Sequence, residues 1–445
     1  MIVSVGRMMR KGGGGLIWPK GLKESIKAIY DPAKQGMTNY DVIEAYAEDF
    51  TKWAYRNSRG TAKITNNAIV ITNVVETNNI VEDAKEPYSD LTIRVTGVTE
   101  DKYLIVRQGR GKPEAHIKKD GIYTFKDNNL YFGFGVSVIG ECNITITQLP
   151  TSILKDLSGN GNHAYLYGGK GKLNSGMGVY KFDFLSDLLI NSAYLPYTER
   201  QYDSICSLAG HPNGWLFQYK SLTDIPAFKV EVKGIVNDKF TYRWYDEKGN
   251  RGADFVIDKD GIYEFPMSYS VETNTGVGIV CNICQDNVCF TQIPDYPNQL
   301  CYDGKMYAVC YDFPILTDYT VMAERTWFER QNRACFLSKI TTSGTGAFGF
   351  EFYNEYNEDT TYSFGRVNNV EQFKDGITYQ ITNSYNGIVK LDYVVNGKDN
   401  AELYIGKLRP SERPAFIGCH GAIIVADRSF TEEEINWLKD NLFRK

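Results

Sequence analysis

"IRVTGVTEDKYLIVRQGRGKPEAHIKKDGIYTF", residues 93–125, returns in altered form as "VEVKGIVNDKFTYRWYDEKGNRGADFVIDKDGIYEF", residues 230–265. Gly97 answers Gly234, Lys102 answers Lys239, and the KDGIY of 119–123 recurs at 259–263. Each copy later closes on a matching phrase, ITITQLP at 144–150 and VCFTQIP at 288–294. A shared order of landmarks with a slowly growing offset marks an internal repeat. Within each copy, apolar and polar residues alternate over short runs separated by Asp-Gly or Lys-Gly, the pattern of antiparallel hairpins. A first segment precedes each copy, DVIEAYAEDFTKW at 41–53 and GVYKFDFLSDLLI at 178–190. The repeat therefore predicts two β-sandwich modules, at 40–150 and 177–296.

Outward from the repeat, the 445 residues suggest roughly two to four domains. Aromatics supply 13% of the chain, with 31 Tyr and 23 Phe against 8 Met, and 41 Gly are spread along it. That mixture favours half-buried strands and tight turns, so the fold class expected is all-β. A formal charge of -5 with no long basic run argues against nucleic-acid binding, which needs a concentrated cationic surface. No apolar run reaches the roughly 20 residues of a bilayer span, and no signal peptide stands at the start, so folding in a reducing cytoplasm and no membrane partner are expected. The 9 cysteines form no regular framework. "CNICQDNVC" (Cys281, Cys284, Cys289) has a C-x-x-C spacing, yet no second C-x-x-C or H-x-x-x-H completes four ligands, so these are read as strand thiols and no metal is assigned.

Residues 1–39 are read as an arm and linker. Arg7, Met8, Met9, Arg10 and Lys11 mix charge with apolar contacts, Gly12 to Gly15 form a joint with little steric restriction, and Leu16, Ile17 and Trp18 supply an anchor. Such a segment has no core of its own. The reading favours a docking arm that orders on a partner over a frayed end.

The second module interrupts something. Upstream lies "DLSGNGNHAYLYG" at 156–168, and downstream come "YDG" at 302–304 and "PILTDYTV" at 314–321. The chain finishes on a G-x-I-I-V-x-D-R-x-F-T-x-x-E-I run at 421–435 and a short helix. Ser429 and Thr431 are its candidate caps, and Ile435, Trp437, Leu438 and Leu442 form its apolar face. These pieces resemble the laminin-G-like, concanavalin-A-type jelly roll. The resemblance implies that 151–176 carries its first strand, that 297–445 is the remainder, and that module 2 is inserted between them. In 156–168 the glycines allow positive φ while Asp and Asn bond nearby backbone. No Lys-Ser/Thr ending with a helix behind it makes this a phosphate loop. A structural turn is the reading, with Asp156, Asn160 and Asn162 the only oxygens for the alternative, a ligand such as Ca2+; no other cofactor is expected. His163 is read as a packed strand residue.

Jelly rolls of this type include glycosidases, which need two opposed carboxylates. The one local cluster, Glu351, Glu355, Glu358 and Asp359, falls at a hairpin tip and reads as a solvated turn. No G-x-S-x-G or H-E-x-x-H occurs, and 4 histidines leave little room for His-based chemistry. No catalytic residue is assigned, and a non-enzyme is expected.

Finally, "YDPAKQGMTNYDVIEAYAEDFTKW", "RGTAKITNNAIVITNV", "DLTIRVTGVTEDKY" and "ECNITITQLP" resemble a module of virion proteins and prophage-like regions of gut Bacteroides, notably the crAss-like phages. The resemblance implies a structural head fibre or capsid decoration protein on the virion surface. Its arm would bind the major capsid protein or another virion protein, and its sandwiches would reach host capsular or surface polysaccharide. Fibres of this kind are commonly homo-oligomers, with a trimer favoured over a dimer. A tail-fibre or adhesin component, a non-catalytic carbohydrate-binding protein and, behind these, a glycoside hydrolase are the alternatives.

Overall fold

The computed structural model describes residues 17–37, 45–55, 61–74, 78–83, 90–108, 113–126, 132–138, 142–168, 173–174, 188–189, 192–201, 203–219, 224–270, 276–314, 316, 319–329, 334–339, 348–352, 361–363, 370–374, 377–383, 402–408 and 415–443. The chain is all-β. Its strands form six sheets among the described residues, in three face-to-face pairs, and the strand pairings within them are antiparallel.

The repeat is a repeat of topology. In the first sandwich one sheet runs Ala54–Tyr55, Asn78–Asp83, Phe132–Val138, Lys102–Gln108, Ala115–Ile117, and the other Thr61–Ile64, Ala68–Val74, Cys142–Gln148, Leu91–Thr96, Gly121–Phe125. In the second, the corresponding orders are Leu188–Leu189, Gly214–Tyr219, Val277–Cys281, Phe240–Arg243, Phe255–Ile257 and Thr198–Gln201, Ser204–Ser207, Val288–Ile293, Phe228–Lys233, Gly261–Phe265. Strand for strand, the connectivity is the same. Alternation sets the inward faces: Leu91, Ile93 and Val95 enter one core, Phe228, Val230 and Val232 the other.

The shared KDGIY is a turn with a mechanism. Asp120 accepts the Val98 N–H at 2.9 Å and Asp260 accepts that of Ile235 at 2.8 Å. Two residues after the turn glycine, the Tyr123 hydroxyl donates to the Lys119 carbonyl and the Tyr263 hydroxyl to that of Lys259. Gly97 and Gly234 have φ of 89° and 100°, and a Cβ on either would stand 2.1 or 2.2 Å from the carbonyl oxygen of Asn143 or Asn287. Only glycine fits there.

The third sandwich frames the other two. One sheet runs Ile26–Tyr30, Ile417–Ala426, Thr320–Glu329, Ile377–Asn383, Val370–Lys374, with Leu300–Asp303 also paired to Ile417–Ala426. The facing sheet runs Ile153–Leu154, Ala164–Tyr167, Tyr307–Cys310, Leu403–Ile405, Cys335–Lys339, Phe348–Phe352, Thr361–Ser363. Tyr30, Leu166, Tyr302, Phe336, Phe416 and Val425 share the core between them. Arg94 of the first sandwich reaches this frame, pairing with Glu402 at 3.2 Å and lying over the Tyr311 ring.

This arrangement corrects the expected boundaries. Residues 1–39 are not all arm and linker, and the frame does not begin at 151: Ile26–Tyr30 pairs with Ile417–Ala426, Tyr30 opposite Ile423. Both sandwiches are therefore insertions between frame strands. The strand escapes a search for alternation because it is covered on both faces. Ala28 and Tyr30 face the inter-sheet core, while Ile26 and Ile29 pack under the closing helix with Met322, Ile424 and Leu438. That helix, Glu432–Asn441, starts where expected, on a Thr431–Glu434 capping box braced by Arg428, rather than at Ser429. Two single helical turns, Leu22–Ser25 and Pro32–Gln35, add to the one helix expected.

Candidate functional site

The 156–163 loop is a latch. Ile26–Tyr30 has one edge on Ile417–Ala426, and the loop satisfies the other. Asp156 Oδ1 accepts the N–H groups of Ile29 and Ser158, and Oδ2 accepts that of Asn162. The Asn160 amide donates to the Ile26 carbonyl and the Asn162 amide to that of Lys27, both at 2.7 Å. Leu157 N donates to the Ile29 carbonyl, and the Tyr30 hydroxyl to that of Asn162. Gly159 and Gly161 take φ of 94° and 80°, the left-handed conformation the turn requires. Asp156, Asn160 and Asn162 are thus brought together as a structural turn, with both Asp156 oxygens engaged by backbone. His163 is a loop residue whose Nδ1 accepts the Asp156 N–H, and the strand begins after it, at Ala164; the expectation of a strand histidine is corrected.

Of the arm, Arg7, Met8, Met9, Arg10, Lys11 and Leu16 lie outside the described residues. Ile17 is 89% exposed. Trp18 stands 4.8 Å from Trp437 and packs over the helix core. It belongs to the frame, not to a free arm, because its indole finds an apolar surface within its own chain. In the acidic cluster Glu351 sits in Phe348–Phe352, and Glu355, Glu358 and Asp359 lie outside the described residues.

The second sandwich holds a disulfide and, beside it, a cluster of two thiols and a histidine. Cys206 and Cys289, direct partners on neighbouring strands, form a disulfide with Cα atoms 4.0 Å apart. Cys289 is therefore not the free strand thiol expected. Beside this bond, Cys281 ends Val277–Cys281, Cys284 follows in the next turn, and His211 comes from the loop between Ser204–Ser207 and Gly214–Tyr219. The loops are tied reciprocally: Cys284 N donates to the His211 carbonyl at 2.9 Å, and Gly210 N to the Cys284 carbonyl at 2.8 Å. Asp238 accepts the N–H groups of Gln285 and Asp286, while Asp286 accepts those of Val236, Asn237 and Asp238. The turn carrying Cys284 is fixed from two sides.

All three side chains are buried, with a ligand atom of each within 4.8 Å of the others. His211 Nδ1 lies 3.4 Å from Cys281 Sγ and 2.8 Å from the Pro212 carbonyl oxygen. Its Nε2 is buried without a hydrogen-bond partner among the described residues. Ser207 Oγ donates to Cys284 Sγ at 3.1 Å. Burial lowers the His211 pKa, disfavouring the charged imidazolium, against a smaller opposing effect of the Pro212 carbonyl. A hydrogen bond from the Cys281 thiol, joined by that from Ser207, lowers the Cys284 pKa, and its counterpart raises that of Cys281 together with burial. Sequence reasoning found the C-x-x-C and missed its histidine, which stands 70 residues upstream of Cys281. Its one local signal is the His-Pro-Asn-Gly turn at 211–214.

Among the described residues no helix is long and apolar enough to cross a membrane. No known family model matches the chain, and no curated protein matches it.

Proposed function

We propose that the protein is a structural and adhesive component of a phage virion, a head fibre or decoration protein that works by binding and not by turnover. The observation that supports this most is the build: one ten-strand sandwich design, used twice, each copy inserted between strands of a third sandwich. Insertion at surface loops carries whole domains outward without breaking the frame's core. The sequence resemblance of residues 28–150 to crAss-like virion modules points the same way.

On this reading residues 1–16 dock on the major capsid protein or a neighbouring virion protein. The chain self-associates, as a trimer in preference to a dimer, and several weak contacts with host surface polysaccharide add to one avid attachment. A tail-fibre or adhesin role is the second reading, since the same build serves at either end of a particle.

Immunogold labelling of purified phage particles with antibody raised against residues 188–293 tests the assignment. Label on the capsid is expected. Label confined to the tail transfers the protein to the second reading, and unlabelled particles that also lack its peptides by mass spectrometry overturn both.

A further inference from the structure

We propose that His211, Cys281 and Cys284 bind one thiophilic divalent cation of the zinc class, which locks the Cys281–Cys284 turn of the second sandwich. Two thiolates and an imidazole are a soft, borderline donor set suited to such an ion. A ligand atom of each of the three residues lies within 4.8 Å of the others. Nδ1–H donates to the Pro212 carbonyl at 2.8 Å, which leaves the imidazole lone pair on Nε2, buried and unpartnered among the described residues. The Ser207 hydroxyl on Cys284 Sγ and the Pro212 carbonyl at the His211 ring are outer contacts of the kind that orient metal ligands.

The repeat supplies an internal control. Where Phe240 pairs with Cys281, the first sandwich pairs Leu104 with Val136, and where Cys206 pairs with Cys289 it pairs Val70 with Thr145. The same topology forms there without cysteine at those positions. The sulfur at Cys281 is thus an addition to the fold, not one of its requirements. The turn it holds presents Ile283, 67% exposed, next to the loop of Val236, 79% exposed, so the ion would stiffen a protruding apolar tip. Binding converts two thiols to thiolates and releases their two protons to solvent, with no change in oxidation state.

The test is titration of metal-free full-length protein, with the Cys206–Cys289 disulfide intact and Cys281 and Cys284 as free thiols, with Co(II) under anaerobic conditions. The expected result is a sulfur-to-cobalt charge-transfer band that saturates at one ion per chain and disappears when Zn(II) is added. Cys284→Ser and Cys281→Ser should each weaken binding at least about 100-fold, whereas Cys310→Ser in the frame leaves it unchanged. His211→Cys should keep binding and strengthen the band, a signature that a purely structural role would not produce. Absence of the band in the unaltered protein, or its persistence in both Cys281→Ser and Cys284→Ser, overturns the site.

Discussion

Asp156 Oδ1 accepts the backbone N–H of Ile29 at 3.0 Å across a separation of 127 residues. The bond spans the whole first sandwich and closes the frame behind it. Asp156→Ala leaves three backbone donors without their carboxylate, and an unfolding free energy lower by about 3 kcal/mol is expected in urea denaturation. Asn162→Ala, which removes one bond to the Lys27 carbonyl, should cost about 1 kcal/mol. Loss of glycan binding at unchanged stability in Asn162→Ala would contradict the structural role of the turn.

Gly97 and Gly234 occupy one position of the repeat. Alanine at either meets a carbonyl oxygen and a positive φ, so Gly97→Ala and Gly234→Ala should each destabilise their own sandwich by about 3 kcal/mol. Limited proteolysis followed by mass mapping reads which sandwich opens. Cleavage confined to the wrong copy, or to neither, would refute the equivalence.

Trp18 rests on Trp437. Trp18→Ala should lower stability by about 1–2 kcal/mol through lost aromatic packing, detectable as a lower melting temperature. An unchanged melting temperature would place Trp18 outside the frame.

Arg428 holds the Glu434 carboxylate at 2.6 and 2.9 Å, and that hydrogen-bonded pair, with the Thr431 cap, sets its pKa below the ordinary 4.5. A carboxyl depressed in the folded state stabilises above its unfolded pKa, and the contribution is lost as pH falls through the folded value. Glu434→Gln should therefore cost about 1 kcal/mol at neutral pH and nothing once both proteins are fully protonated. Chemical unfolding of the two proteins at both ends of that range reads the difference directly. A gap that persists in acid would assign the effect to shape instead of charge.

The parts of the fold legible in the sequence are those whose constraints are local. Gly97 and Gly234 repeat because of one backbone conformation and one close approach, and KDGIY repeats because Asp, Gly and Tyr close the same turn. Thr431 and Glu434 announce a helix start three residues apart. Ile26–Tyr30 was illegible because burial on both faces erases alternation and its partner strand lies at the far end of the chain. His211 was illegible for a related reason: its neighbours Cys281 and Cys284 reach it only after the strands between them have folded. The 156–162 turn was readable as a turn, but what it grips, the backbone of Ile26, Lys27 and Ile29, depends on pairing across the whole first insertion.

Attachment to the particle is the central claim, and co-sedimentation with capsids that lack this protein measures it most directly. Two forms are compared, the full chain and one without residues 1–16, which keeps the Trp18–Trp437 contact and so separates docking from stability. The account predicts that the full chain pellets with capsids and the shortened form stays in the supernatant. A full chain that remains in the supernatant, or a shortened form that pellets equally well, contradicts it.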